Sequence, residues 1–155
     1  MRITAKADYA VRAAVELAAA AARGEERPVK GEQLARLQGI PQNFLENILT
    51  ELRRAGIVRT RRGVDGGYQL ARPAAAVTVA EVLRAVEGPL AAVQGVRPDE
   101  LEYKHAAAAL PEVWVALRAS LRDVLEHVTL ADIASGSLPK KVTDRTRVDD
   151  AWQPH

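Results

Sequence analysis

Cysteine is absent from all 155 residues. Disulfides, thiolate metal sites and thiol redox switching are therefore excluded. Aromatic residues make up only 4% of the chain, and alanine supplies much of the 48% hydrophobic content. That mixture favours packed helices over a sheet sandwich. No apolar run approaches the roughly 18–20 residues of a membrane span. The opening MRITAKADYAVRAAVELAAAAA is alanine-rich, but Asp8, Arg12 and Glu16 interrupt it and a helical period runs through it, so no signal peptide is expected. No Ser/His/Asp or Cys/His arrangement and no framed pair of carboxylates supports catalysis, and an enzyme is not expected. The expectation is a soluble, cytoplasmic protein that does not engage a membrane.

What is present is an uneven charge. The net charge is +2, yet residues 1–72 carry 13 Lys and Arg against 8 Asp and Glu, whereas residues 73–155 carry 9 against 12. Five of the ten residues from Arg53 to Arg62 are arginine. A basic front and a neutral-to-acidic back suggest a polyanion partner.

The periodicity predicts a mainly helical fold. Thr4 caps a helix over 5–23 with Val11, Ala14, Val15 and Ala18 along one face, and Gly24 ends it. A short helix over 31–38 buries Leu34, Ala35 and Leu37 and stops at Gly39. Pro41 suits the first position of a third helix. That helix buries Phe44, Leu45, Ile48, Leu49 and Leu52, exposes Gln42, Asn43, Glu46, Asn47 and Thr50, and ends at Gly56. Helices two and three with their tight turn read as a helix-turn-helix.

Strands over 57–61 and 68–71 follow, joined by Arg62-Gly63-Val64-Asp65-Gly66-Gly67 as a hairpin tip. Thr78-x-x-Glu81 is a capping box opening a helix to Glu87, broken by Gly88-Pro89. Residues 90–109 read as a loop with one helical turn. From Pro111, Trp114, Leu117, Leu121, Val124 and Val128 recur at 3-4-3-4 spacing, a coiled-coil-like stripe that serves either as core for its own domain or as a seam between two subunits. Dimerisation is the favoured reading. Thr129 starts a last short helix closed by Gly136. The tail 139–155, charged and aperiodic, is expected to be disordered.

The expected architecture is a winged helix-turn-helix, three helices plus a two-stranded β-wing, over residues 1–88. A linker loop and dimerisation helix follow over 89–138.

Asn and Gln can pair with adenine and a carboxylate can accept from the cytosine amino group, so Gln42, Asn43, Glu46 and Asn47 are candidate base readers. The bland alternative is that they solvate an amphipathic helix. Asn47 and Thr50 could equally meet phosphates. In the wing, Arg59, Arg61, Arg62 and Gly63 are candidate DNA contacts, with Arg62 chosen for the minor groove. Thr4, Lys6, Tyr9 and Arg53 are candidate phosphate contacts. The segment GVDGGY lacks the strand-to-helix context and the Lys-Ser/Thr of a nucleotide loop. His105 lies near Asp99, Glu100 and Glu102 but matches no metal motif, and with His127 it is expected at the surface.

MRITAKADYAVRA, PQNFLENILTELRRAGIV, RRGVDGGYQLA and VTVAEVLRAVEG together resemble the IscR/CymR/NsrR-type (Rrf-two) winged-helix transcription regulators. The likeness is close over 1–88 and looser over 110–138. It implies a homodimer on palindromic promoter DNA, with a long helix crossing to the other subunit. It also implies base readout by Glu46, neighbouring recognition-helix positions at Asn43 and Phe44, a wing arginine at Arg62, and phosphate contact around Thr4, Lys6 and Tyr9. Many members hold an iron–sulfur cluster on three cysteines. The matching stretch here, AAVQGVRPDELEYKHAAAA, has none, so no cluster and no other cofactor is expected. A small molecule or a partner protein is expected as effector instead. The competing reading is a winged-helix module that binds protein rather than DNA.

Overall fold

A computed structural model describes residues 2–154; Met1 and His155, the ends of the expected first domain and tail, lie outside the described residues. Helix α1 (Ala5–Ala22) runs through the centre. The Thr4 hydroxyl caps it by accepting from the Ala7 N–H at 3.0 Å. Ala7, Ala10, Ala13, Ala14, Leu17, Ala18 and Ala20 are buried on it. Small side chains let neighbouring helices come close, and α1 packs against α2 (Gly31–Gln38), α3 (Gln42–Arg54), α4 (Val79–Glu87) and α6 (Leu130–Ser135).

Helix α2 contributes only Leu34 to the core. It lies at the edge of the bundle against α1 and α3, so Leu37, expected inside, is exposed, and Ala35 is half-buried. Gly39 turns the chain in a left-handed conformation, and Pro41 stands just before α3 rather than as its first residue. Helix α3 buries Leu45, Ile48, Leu49 and Leu52 almost completely. The expected fifth member, Phe44, is 55% exposed. It sits on the flank of the apolar stripe, and its ring meets Tyr9 edge-on, centroids 6.4 Å apart.

The wing pairs β1 (Val58–Arg61) with β2 (Gly67–Leu70) antiparallel, in the register Val58↔Leu70 to Arg61↔Gly67. A third segment joins: Val29 and Tyr68 exchange N–H···O bonds of 2.9 and 2.8 Å. This crossing explains one tip glycine. A Cβ on Gly67 would lie 2.5 Å from the Val29 carbonyl oxygen, and one on Gly66 would lie 2.4 Å from that of Arg61. Only Gly63 among the three faces open space.

Helix α4 opens with the expected capping box. The Glu81 N–H donates to Thr78 Oγ1 at 3.2 Å, and the Thr78 N–H donates to Glu81 Oε2 at 2.9 Å. The 89–109 segment contains two 3-10 turns, at Pro98–Glu100 and His105–Ala107. Helix α5 (Leu110–Leu125) then runs with no buried residue at all. The expected stripe is cut short. Val128 lies beyond α5 and is only 6% exposed, because its carbonyl accepts from the Val79 N–H at 2.9 Å and Thr78 bridges Thr129. It lies in this chain's own interior rather than on the exposed face of α5. Residues 128–135 return to the body rather than extending the linker region: α6 begins with a second capping box, Thr129 with Asp132, and buries Leu130 against α1.

The tail also differs from expectation. Residues 140–146 form α7 (Lys140–Thr146). Charge pairing orders it where apolar periodicity is missing. Lys140 pairs with Asp144 one turn on, and both Lys141 and Arg145 reach the Asp123 carboxylate of α5. The Trp152 indole N–H closes the segment on the Thr146 carbonyl at 2.7 Å. No described helix is long and apolar enough to cross a membrane.

Candidate nucleic-acid interface

Opposite the buried stripe of α3, Asn43, Asn47, Thr50 and Arg54 follow one another at i, i+4, i+7 and i+11, and so share the outward face. Gln42, Glu46 and Arg53 lie on one flank of that face and Phe44 on the other. The Gln42 amide donates to Glu46 Oε1 at 3.4 Å, a weak bond that aligns the two side chains without burying either. The Thr50 hydroxyl donates to the Glu46 carbonyl at 2.9 Å and is thus partly turned back onto its own helix. Arg54 escaped the sequence reading; its position eleven residues after Asn43 was the signal that it shares the central line.

The wing follows α3 directly in the chain, and its first strand packs against that helix. Strand alternation puts Arg59 and Arg61 on one face, and Arg62 follows at the entrance to the tip, where Gly63 adopts positive φ and Val64 is almost fully exposed. Arg53, Arg54, Arg59, Arg61 and Arg62 are all exposed, and among the described residues none forms an ion pair. Several arginines elsewhere are matched: Arg12 with Asp8, Arg23 with Glu25, Arg72 with Glu81, Arg84 with Glu126 and Arg97 with Asp99, whereas Arg27 and Arg36 also stand without an ion pair among the described residues. Five unmatched guanidinium groups running from recognition helix to wing tip form a surface complementary to phosphate.

The N-terminal candidates are engaged within the chain. Lys6 Nζ donates to the Val86 carbonyl at 2.7 Å and pairs with Glu51 at 2.9 Å, tying α1 to α4 and α3. The Thr4 hydroxyl, besides capping α1, donates to Glu87 at 2.5 Å. Tyr9 carries Phe44 on one side and lies 5.5 Å below the Arg12 guanidinium. Lys6 in particular holds helices together, a role with no local signature in the sequence.

Behind the interface, a cavity of about 510 Å³ opens between the N-terminus of α1, the end of α4, residues 88–93 and one face of α5. Leu83, Leu90, Trp114, Leu117, Leu121 and Leu125 supply most of its apolar wall, and the Trp114 indole N–H finds no acceptor among the described residues. On α5 itself, Val113, Val115 and Leu117 stay exposed. At the foot of α5, Arg122 and Arg84 both address Glu126 and hold its carboxyl at about 2.

A helix-turn-helix with a basic wing, joined to a helix that its own chain leaves without a buried residue, defines a winged-helix transcriptional regulator. The comparisons agree. The family model Rrf2, described as an iron-dependent transcriptional regulator, matches residues 3–136, and the chain belongs to that family. It is 52% identical over 142 residues to the candidate HTH-type transcriptional regulator Rv1287 of Mycobacterium tuberculosis, spanning 92% of this chain and 86% of that one. Among solved structures, CymR, the global cysteine regulator of Bacillus subtilis, superposes with a TM-score of 0.72 at 30% identity, over 88% of this chain and 98% of that chain. IscR of T. potens gives a TM-score of 0.71 at 30% identity, over 88% of each chain.

The family's description raises iron, and the donor set answers it. The chain has no thiolate to offer. Among the described residues no group of three or more His, Asp or Glu side chains comes together. His105 is exposed, Asp99 is taken by Arg97 and Arg118, and the His127 ring nitrogen faces the Asp123 carbonyl at 2.9 Å. These residues do not fit an iron–sulfur cluster.

Proposed function

We propose that this regulator acts in the cytoplasm as a homodimer on a palindromic promoter site and represses by occupying it. The observation that carries the reading is the set of five arginines, unpaired among the described residues, that runs along the chain from the end of α3 to the wing tip. In a major groove, Asn43 and Gln42 address adenine edges, Glu46 accepts from a cytosine amino group, and Asn47 and Arg54 follow along the same face. Arg62 enters the adjoining minor groove while Arg53, Arg59 and Arg61 meet phosphates. Gly63 lets the backbone approach. Helix α5 pairs two subunits through Trp114, Leu117, Leu121 and Val124, so that two recognition helices stand about one DNA turn, roughly 34–36 Å, apart.

Control falls to a small molecule or a protein partner acting between the helix-turn-helix body and α5, where the cavity lies. Because both half-sites must be met together, a small change in subunit separation releases several contacts at once.

Salt-titrated binding to duplex DNA tests the reading. A dimeric regulator keeps a large preference for its selected site as salt rises, whereas a module that binds only protein shows weak, uniform binding. Arg62→Ala is expected to weaken binding chiefly at minor-groove positions, and Glu46→Ala to relax base preference by about 1–3 kcal/mol at one position. An unchanged preferred sequence in Glu46→Ala would remove that residue from base readout.

A further inference from the structure

Two attachments hold the end of α5 to α4, and they differ in kind. The first is a backbone pin. The Val79 N–H donates to the Val128 carbonyl and the Leu130 N–H to the Val77 carbonyl, each at 2.9 Å, so the α5–α6 junction is fixed beside the start of α4. Thr78 and Thr129, which form the bridge, are also the caps of α4 and α6. A pin fixes a point but leaves an angle open.

Packing does little to set that angle. No residue of α5 is buried, its main packing is against the Pro98–Glu100 turn rather than the helix-turn-helix body, and the space between α4 and α5 is the cavity lined by Leu83, Leu121 and Leu125. The second attachment lies just before the pin. Arg84, in the second turn of α4, reaches Glu126 at the end of α5, and Arg122, one turn back, donates to the same carboxylate oxygen at 2.9 Å. The α4 helix in turn meets the recognition helix through Lys6, which joins Val86 to Glu51. Dimer helix, α4 and α3 are thus linked by polar contacts on one side of an unfilled gap.

We infer that the Arg84–Glu126 bridge sets the angle between α5 and the helix-turn-helix body, making Glu126 and Arg84 positioning residues for the spacing between the half-sites this regulator accepts. The inference rests on the dimer proposed above. Arg122 braces Glu126 within α5 and is not part of the link between helices.

The test uses the full-length protein and duplexes that carry the selected half-site twice, with the spacer varied one base pair at a time. Wild-type protein is expected to favour one spacer sharply. In Glu126→Gln and Arg84→Gln that preference drops by about fivefold, since a half-exposed ion pair is worth a small factor and occurs twice per dimer. The half-site sequence itself stays the same. The double variant loses no more than either single one, because both remove the same contact. Arg122→Gln keeps the wild-type preference.

A second measurement needs neither DNA nor dimer. The chain has no native cysteine, so Ala55→Cys at the end of α3 and Ala119→Cys on α5 can both carry nitroxides without side reaction. Diluted with unlabelled protein, wild-type background should give one narrow distance and Glu126→Gln a clearly broadened one. An unchanged distance distribution, an unchanged spacer preference, or an Arg122→Gln as damaging as Glu126→Gln would overturn the inference. Wild-type protein that selects no paired half-site would sink the dimer reading instead, while the distance measurement would still judge the bridge.

Discussion

Helices α3 and α5 carry similar apolar stripes and meet opposite fates. Leu45, Ile48, Leu49 and Leu52 of α3 are sealed inside their own chain, whereas α5 has no buried residue and leaves Val113 56% exposed. A stripe records that something covers it and not what does. For α3 the cover is α1, α2, α4 and the first wing strand; for α5 it is proposed to be a second copy. A helix dressed by its own chain can present its polar face to a partner of another kind, and α3 does so with Asn43, Asn47 and Arg54.

Breaking each stripe should therefore give different signatures. Leu49→Ala, at a fully buried site, is expected to cost about 2–5 kcal/mol of stability, with a loss of melting temperature that does not depend on protein concentration. Leu117→Glu and Leu121→Glu on α5 should instead leave the helical circular dichroism intact and abolish the dimer in sedimentation. If either charge substitution unfolded the chain while leaving no sign of dissociation, α5 would be core of its own domain.

Acid sharpens the contrast. Arg122 and Arg84 depress the Glu126 carboxyl from the ordinary 4.5 to about 2. A depressed carboxyl contributes above its unfolded value and loses that contribution as pH falls through its folded value. The melting-temperature gap between wild-type protein and Glu126→Gln should thus be full near neutrality and close between about pH 4.5 and 2. A gap that stays constant over this window would mean that Glu126 stabilises nothing through its charge. The caps give an effect of similar, small size. Thr78→Ala and Thr129→Ala should each cost about 1 kcal/mol in chemical denaturation, both on the side of the molecule that holds α5.

Much of the fold was legible because its signals are local. Gly39 and Gly56 mark helix ends through their own backbone freedom, Thr78 and Glu81 cap within three residues, and four of five predicted α3 core positions are buried. The failures involve partners distant in sequence. Nothing near Val29 announces its pairing with Tyr68, and nothing near Lys6 announces Glu51 and Val86. Phe44 was misjudged because it borders the stripe, and Val128 because the 3-4-3-4 pattern continues past the point where the helix ends. The order of α7 comes from Asp123, seventeen residues before the helix begins. In the interface, residue types on α3 and the wing were enough to nominate contacts. That the five arginines lack carboxylate partners required the folded chain.

The central claim is a dimer that reads DNA through α3 and the wing, and selection from a random duplex pool tests it most directly. Purified full-length protein should enrich a two-fold-symmetric sequence whose half-site centres lie about one helical turn, 10–10.5 base pairs, apart. Enrichment of no sequence, or of a single half-site without its mirror image, would contradict it.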